Sequence, residues 1–334
     1  MGYDSTILRR ASQRLAESKK AREENQEALR LRLYSQCPEL EDIDRQLKGT
    51  ILDIIASSLR KGSDPGPALQ VIKDKNMDLQ LRKAQLLQQL GFPPDALEDT
   101  PTCKKCNDSG WTGTKMCDCL QILCAQEQTK ELSKLLDLGE QSFDTFSMEW
   151  YSPLPWPNEK KSPRENMDKI KETCWIYATR FGRTPLKNLL LIGDPGLGKT
   201  FLSACIARTV AENGFSVVYD TASNLFARFE EQKFSKDVQE GKGAQEETRR
   251  YLGCDLLILD DLGSEFTTPF VQSALYTLIN TRLTQNRATV ISSNLSMDGI
   301  RSRYNGQTAS RLEGEYRVLR FYGEDIRLQR KSRM

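Results

Sequence analysis

The chain has 334 residues, enough for two or three domains at roughly 100 to 200 residues each. Its 48 Lys and Arg against 46 Asp and Glu leave a net charge of +2, too mild to mark a nucleic-acid protein by composition, so local charge must carry any such reading. Histidine is absent, which excludes a His general base, a Ser-His-Asp triad and every His-containing zinc site.

The nine cysteines are an odd number in a large chain without a secretion signal, so a disulfide framework is not expected and metal binding is the main alternative for the clustered ones. No apolar run approaches the ~18 residues of a membrane span. The N-terminal "MGYDSTILRRASQRL" lacks the apolar stretch of a signal peptide, and the expectation is a soluble, cytoplasmic protein.

From Ser5 to about Leu33, Leu8, Ala11 and Leu15 stand at helical spacing with no Pro or Gly, predicting a long helix that either packs on its own domain or binds a partner. A second helix is expected over Ile43 to Leu59, stopped by the breaker cluster "KGSDPGP", and a third over Leu69 to Leu90, ending at "GFPP". Residues 1–95 thus read as a helical, partner-binding domain.

Next comes "CKKCNDSGWTGTKMCDC", with C-x2-C, ten residues, then C-x-C. Cys103, Cys106, Cys117 and Cys119 supply four thiolates, the set Zn2+ takes in a closed, structural tetrahedral site, and the intervening Asp, Ser and Gly residues supply turns that bring the pairs together. Cys124, on the helix expected from Leu120 to Leu138, is an alternative to Cys119. Residues 96–140 are therefore a zinc-binding segment with its following helix, and the Pro- and Trp-rich residues 141–165 read as a linker or docking arm.

From residue 166 to 334 the pattern changes. "NLLLIG", "FSVVYD", "DLLILDD", "ATVISSN" and "YRVLRFYG" are five strand candidates separated by helical segments, the pattern of a parallel sheet covered on both faces. Between the first strand and the helix after it stands "GDPGLGKT", the phosphate-binding G-x-x-x-x-G-K-[ST] in its proper strand-to-helix context. The loop, Gly193, Asp194, Pro195, Gly196, Leu197 and Gly198, would present backbone amides to an anion. Lys199 would reach the β- and γ-phosphates, and the Thr200 hydroxyl would bind Mg2+.

In "LLILDD" an apolar strand ends in two carboxylates, where ligands bind in such sheets. Asp260 is the Mg2+-side acid, and Asp261 either polarises the attacking water or caps the following turn. Asn294, at the tip of "ATVISSN", would orient that water and sense the γ-phosphate, or is a turn residue.

These motifs, with "LYTLINTRL", "VISSNLS" and "SRLEGEYRVLRFYGEDIR", resemble over about residues 140–334 the AAA+ ATPases of bacterial helicase loaders of the DnaC/DnaI type and the similar IstB transposition helpers. The resemblance implies an AAA+ P-loop ATPase with ATP held between neighbouring subunits and an Arg of the neighbour reaching the γ-phosphate. Gln307 stands where the loader pattern often carries that Arg, leaving Arg303 or Arg311, of which Arg311 is favoured.

From Arg301 on, nine basic residues face four acids, a surface suited to phosphates or simply a solvated tail. The polar stretch "EEQKFSKDVQEGKGAQEETRRY" reads as a loop. In loader-like ATPases this region faces the centre of the oligomer, which makes Lys233, Phe234, Lys236 and Lys242 candidate single-strand DNA contacts.

Three functions follow. The first is an ATP-hydrolysing DNA replication protein that holds a replicative helicase through its N-terminal region and loads it onto single-stranded DNA. The others are a transposition helper acting on a transposase and duplex DNA, and a zinc-bearing adaptor that binds nucleotide without hydrolysis. The cysteine segment favours the first, because the loaders resembled carry a zinc site in the helicase-binding domain.

Overall fold

The five strand-like runs form one parallel sheet in a computed structural model, which describes residues 3–59, 66–135, 141–234 and 238–333. The chain resolves into two units, residues 13–117 and residues 1–12 with 118–334.

In the first unit, three helices follow in order: α1 (Ser5–Gln36), whose first turns count with the second unit, α2 (Pro38–Leu59) and α3 (Gly66–Gln89). α2 starts five residues earlier than its apolar pattern suggests, because Pro38 suits the first helical position and Glu39 and Glu41 favour the positive end of the helix dipole. Leu33, Leu40, Ile43, Leu86, Leu87 and Leu97 are buried together as a small core. Lys83 pairs with Asp44 at 2.6 Å and Arg82 with Glu39 at 2.7 Å, tying α3 to α2. Residues 60–65, which carry most of the breaker cluster, lie outside the described residues. A two-residue antiparallel ribbon, β1 (Trp111–Thr112) and β2 (Lys115–Met116), closes the unit.

The second unit carries α4 (Asp118–Leu135), α5 (Pro163–Thr179), β3 (Leu189–Gly193), α6 (Lys199–Glu212), β4 (Val217–Thr221), α7 (Ala222–Phe234), α8 (Val238–Gly253), β5 (Leu256–Leu262) and α9 (Pro269–Thr284). β6 (Ala288–Ser293), α10 (Met297–Tyr304), α11 (Gly306–Glu315), β7 (Arg317–Phe321) and α12 (Ile326–Arg333) complete it. The sheet order is β4-β5-β6-β3-β7, all parallel, so the phosphate-loop strand β3 lies between β6 and β7.

Strand alternation splits the core in two. Leu189, Leu191, Leu256, Ile258 and Val290 pack on one face with α5 and α6. Leu190, Ile192, Leu257, Leu259 and Ile291 pack on the other with α7, α9 and α11. Helices on both faces explain why the strands read as continuous apolar runs.

Three segments differ from the sequence reading. The stretch expected as a loop is mostly helix, α7 ending at Phe234 and α8 beginning at Val238; Arg228–Glu231 and Arg250–Glu247 pairs at i,i+3 give a polar sequence helical support. Residues 141–165, expected as a linker, bury Phe143, Phe146 and Tyr151 in the core of this unit, and Ser162 and Glu165 cap α5 reciprocally. The basic C-terminus is helix α12, docked beside the phosphate loop by a hydrogen bond from the Ile326 amide to the Gly196 carbonyl at 3.0 Å. No described helix is long and apolar enough to cross a membrane.

Candidate functional site

The phosphate loop runs from the end of β3 into the first turn of α6, where unpaired amides and the helix dipole favour an anion. Gly198 holds the cap with φ 89, and a Cβ there would lie 2.7 Å from the Tyr151 hydroxyl. The Lys199 ammonium donates to the Gly193 and Asp194 carbonyls at 2.6 and 2.7 Å. Burial pushes its pKa down to about 8; Asp260, Asp261 and Asp194 pull it back up, while Arg327 pushes it down further.

Asp260 is buried at the end of β5. It accepts from the Tyr219 hydroxyl at 2.8 Å, from Thr200 Oγ1 at 3.4 Å and from Ser292 Oγ. One charge is thus held by three hydroxyls from β4, α6 and β6, which satisfies a carboxylate that burial alone would penalise. Burial, then the Asp260 charge, push the Tyr219 phenol well above its ordinary value, so it stays a donor.

Asp261 reaches the same cavity through a bulge. β5 pairs Leu259 with Ile291 and then Leu262 with Ser293, spending three residues against two, with Asp261 in the left-handed region at φ 58. Strict alternation would aim Asp261 into the core face of Leu257 and Leu259. The extra residue gives that place to Leu262 and frees Asp261. The Asp261 amide donates to Ser292 Oγ at 2.9 Å, and its carboxylate accepts from the Asn294 amide at 2.7 Å.

Asp260, Asp261 and Asn294 line one cavity of about 470 Å3 with Pro195 to Thr200. Its remaining wall was not read from the sequence. Phe146, Trp150 and Tyr151 come from the 141–165 stretch, Ser292 from β6, and Arg327 and Arg330 from α12. Two signals pointed there: the aromatic density of "FDTFSMEWY", and two adjacent hydroxyls in a strand buried along its whole length.

The two Arg candidates stand differently. Arg303 is turned inward, donating to Thr267 Oγ1 at 2.7 Å and the Glu265 carbonyl at 2.5 Å. Arg311 is exposed on α11 and makes no ion pair among the described residues. Neither lines the cavity of its own chain. Of the candidate DNA contacts, Phe234 is 63% exposed and stands edge-on to Phe270, with Lys233 5.5 and 4.9 Å from the two ring centres. Lys236 and the Lys242 side chain lie outside the described residues.

Cys103, Cys106, Cys117 and Cys119 place their sulfurs within 4.8 Å of one another, and Cys124 is not among them. The Cys103 and Cys117 sulfurs are 3.7 Å apart, close to the edge of about 3.8 Å that Zn–S bonds near 2.3 Å give a tetrahedron, and far beyond the ~2.05 Å of a disulfide. The Gly110 amide donates to the Cys106 sulfur at 3.3 Å, and the Asp108 carboxylate accepts from the Cys103 amide at 2.7 Å and pairs with Arg22 at 3.2 Å. Such outer contacts orient thiolate ligands, and the donor set fits Zn2+. Burial raises the Cys124 thiol to about 11, as for an inert core cysteine.

A five-stranded parallel sheet, a phosphate loop and acidic strand tips define a P-loop nucleotide-binding fold, preceded by an α-helical N-terminal region and a cysteine cluster. Residues 177–334 match the family described as IstB-like ATP binding protein. The chain is similar to the replicative helicase loader DnaI of Bacillus subtilis, 31% identical over 119 residues, 35% of this chain and 36% of the relative. It is also 30% identical over 107 residues to an ATP-binding protein ascribed to an insertion sequence in Sinorhizobium fredii, covering 32% of this chain and 34% of that one. The chain thus spans only about a third of the length of either relative. Among solved structures, the DnaC helicase loader aligns with a TM-score of 0.44 at 18% identity, covering 56% of this chain and 99% of that one. The DnaI structure aligns with a TM-score of 0.44 at 19% identity, covering 60% and 99%.

Proposed function

We propose that the protein hydrolyses ATP at a subunit interface and uses the cycle to load a replicative helicase onto single-stranded DNA, holding the helicase through its N-terminal helical region. The observation that carries the hydrolysis is the meeting of Lys199, Thr200, Asp260, Asp261 and Asn294 around one cavity. The loop amides and Lys199 bind the phosphates, and Thr200 and Asp260 would hold a Mg2+ ion, which supplies charge neutralisation between the β- and γ-oxygens. Asp261, oriented by Asn294, polarises the attacking water. Arg311 of a neighbouring copy reaches the γ-phosphate, a role that its exposure supports and the inward contacts of Arg303 oppose.

Cys103, Cys106, Cys117 and Cys119 would hold Zn2+ through four thiolates, a donor set suited to a structural rather than a catalytic ion. Lys233 and the exposed ring of Phe234 are the DNA contacts, the ammonium for the backbone and the ring for a base.

The similarity to the helicase loader DnaI, together with the helical unit and its cysteine cluster, supports loading. The similarity to an insertion-sequence ATP-binding protein supports the second reading, a transposition helper. Co-purification of the full chain with its host or phage replicative helicase, with ATP turnover followed with and without single-stranded DNA, decides between them. Capture of the helicase and DNA-stimulated turnover are expected. Capture of a transposase instead selects the helper, and firm nucleotide binding with no turnover under any condition selects a non-hydrolysing adaptor.

A further inference from the structure

β4 is an edge strand, and its two halves are held differently. At its start the Gln128 side chain of α4 stands in for a neighbouring strand, accepting from the Val217 amide at 3.0 Å and donating to the Phe215 carbonyl at 2.8 Å. Further along, the strand borders a cavity of about 550 Å3 whose lining includes Tyr219, Asp220, Arg250 and Tyr251. There two consecutive side chains hold it, one from each face of the sheet.

Tyr219 lies in the core that α5 and α6 share with the sheet, and is 7% exposed. It pairs in register with Ile258, two residues before Asp260, and its phenol reaches along β5 to donate to Asp260 Oδ2 at 2.8 Å. Ser292 and Thr200 both donate to the other oxygen, Oδ1. The two oxygens are thus held separately, and removing the phenol takes from Oδ2 the donor that stops the carboxylate turning about its Cβ–Cγ bond.

Asp220, the next residue, is held from the other face. Its Oδ2 accepts from the Tyr251 hydroxyl of α8 at 2.7 Å, and its Oδ1 from the Thr221 amide at 2.8 Å. Tyr251 is itself fixed: it is 1% exposed, its ring stacks on Phe229 of α7 at 6.2 Å, and its carbonyl accepts from the buried Arg282 of α9 at 2.6 Å. The half of β4 that carries the phenol is therefore braced by a hydroxyl–carboxylate bond on each side. Neither tyrosine belongs to the phosphate loop or the acidic strand tip.

We infer that Tyr219 is a positioning residue for the metal side of the nucleotide site: it locks the Asp260 carboxylate in the orientation that, with Thr200, would hold Mg2+, and Tyr251 acts through Asp220 to keep Tyr219 in place. This rests on the reading of the cavity as an ATP site.

The test is binding of a fluorescent ATP analogue to the full-length protein across a range of Mg2+ concentrations, in the wild type, Tyr219→Phe, Tyr251→Phe and the double variant. Tyr219→Phe keeps the ring and removes only the donor. It should raise the Mg2+ midpoint about 10- to 100-fold, the span for loss of an outer-shell partner, while binding without Mg2+ stays at the wild-type value. Tyr251→Phe should shift the midpoint in the same direction by less. Because Tyr251 acts through Tyr219, the double variant should match Tyr219→Phe within about twofold instead of multiplying the two shifts. Melting temperatures taken without nucleotide separate positioning from packing, since a merely structural phenol would lower the melting temperature and leave the Mg2+ midpoint alone. An unchanged midpoint in Tyr219→Phe overturns the inference while leaving the ATP site standing, and shifts that multiply in the double variant overturn the relay through Asp220. Wild-type protein that binds no ATP, or binds it identically with and without Mg2+, removes the reading on which the inference rests.

Discussion

The Asn294 side-chain amide donates to the Asp261 carboxylate at 2.7 Å, joining the tips of β6 and β5 across the mouth of the phosphate cavity. Neither residue is buried, so their contact is not part of the sheet's core. Asp261→Asn should lower ATP turnover by about 10² to 10⁴-fold, the span for removal of a positioned base. Asn294→Ala should cost about 10² to 10³-fold, the scale for one oriented polar group. Both should bind ATP as the wild type does, because the phosphate loop is untouched. Single-turnover rates measured beside nucleotide affinity check this; turnover within twofold of wild type in Asp261→Asn would return that residue to the role of a turn cap.

Arg311 and Arg303 separate cleanly by experiment. Arg311→Ala should abolish stimulated hydrolysis, on the scale of the ~10³-fold or greater contribution of an Arg supplied in trans, without altering ATP affinity or melting temperature. Arg303→Ala breaks contacts to Thr267 and the Glu265 carbonyl and should instead lower stability by about 1 to 3 kcal/mol. Mixing Arg311→Ala with an Asp261→Asn variant should restore part of the activity if the Arg acts between copies; absence of rescue would place it elsewhere.

Lys199 links nucleotide binding to pH. Burial lowers its pKa from 10.5 to about 8, so between those values the unfolded chain binds more protons than the folded one. The Lys199 contribution to stability therefore rises with pH across that window, the reverse of a lysine that gains a carboxylate partner. Bound phosphates favour the ammonium, so ATP binding near pH 8.5 should take up a proton, and affinity should fall as pH rises through about 8. Calorimetric titration at pH 8.5 in two buffers of different protonation enthalpy measures this directly. Zero proton uptake, or the same uptake in Lys199→Met, contradicts it.

The cysteine cluster predicts a stoichiometric metal. Cys103→Ser and Cys117→Ser should each lose zinc by elemental analysis, whereas Cys124→Ser should retain it. Loss of a ligand should lower the melting temperature, since metal affinity in a structural site is folding free energy. Full zinc content in Cys103→Ser would defeat the assignment.

What the sequence determined by itself was local. Gly193 to Thr200, the two carboxylates after "LLIL" and the paired cysteines are legible because their chemistry depends on a few residues at short spacing, and the five apolar runs are legible because both faces of the sheet are covered. Tertiary structure decided everything that depends on which strand lies beside which. The order β4-β5-β6-β3-β7 brings Tyr219 and Ser292 onto Asp260 from opposite neighbouring strands, though they stand 41 and 32 residues away in the chain. A one-residue bulge, invisible in "LLILDDL", turns Asp261 from the core into the cavity. The basic end gained a place only because the Asp325 carboxylate lies over a glycine 129 residues earlier, where an added Cβ would fall 2.0 Å from Asp325 Oδ1, a close approach that periodicity and composition do not encode.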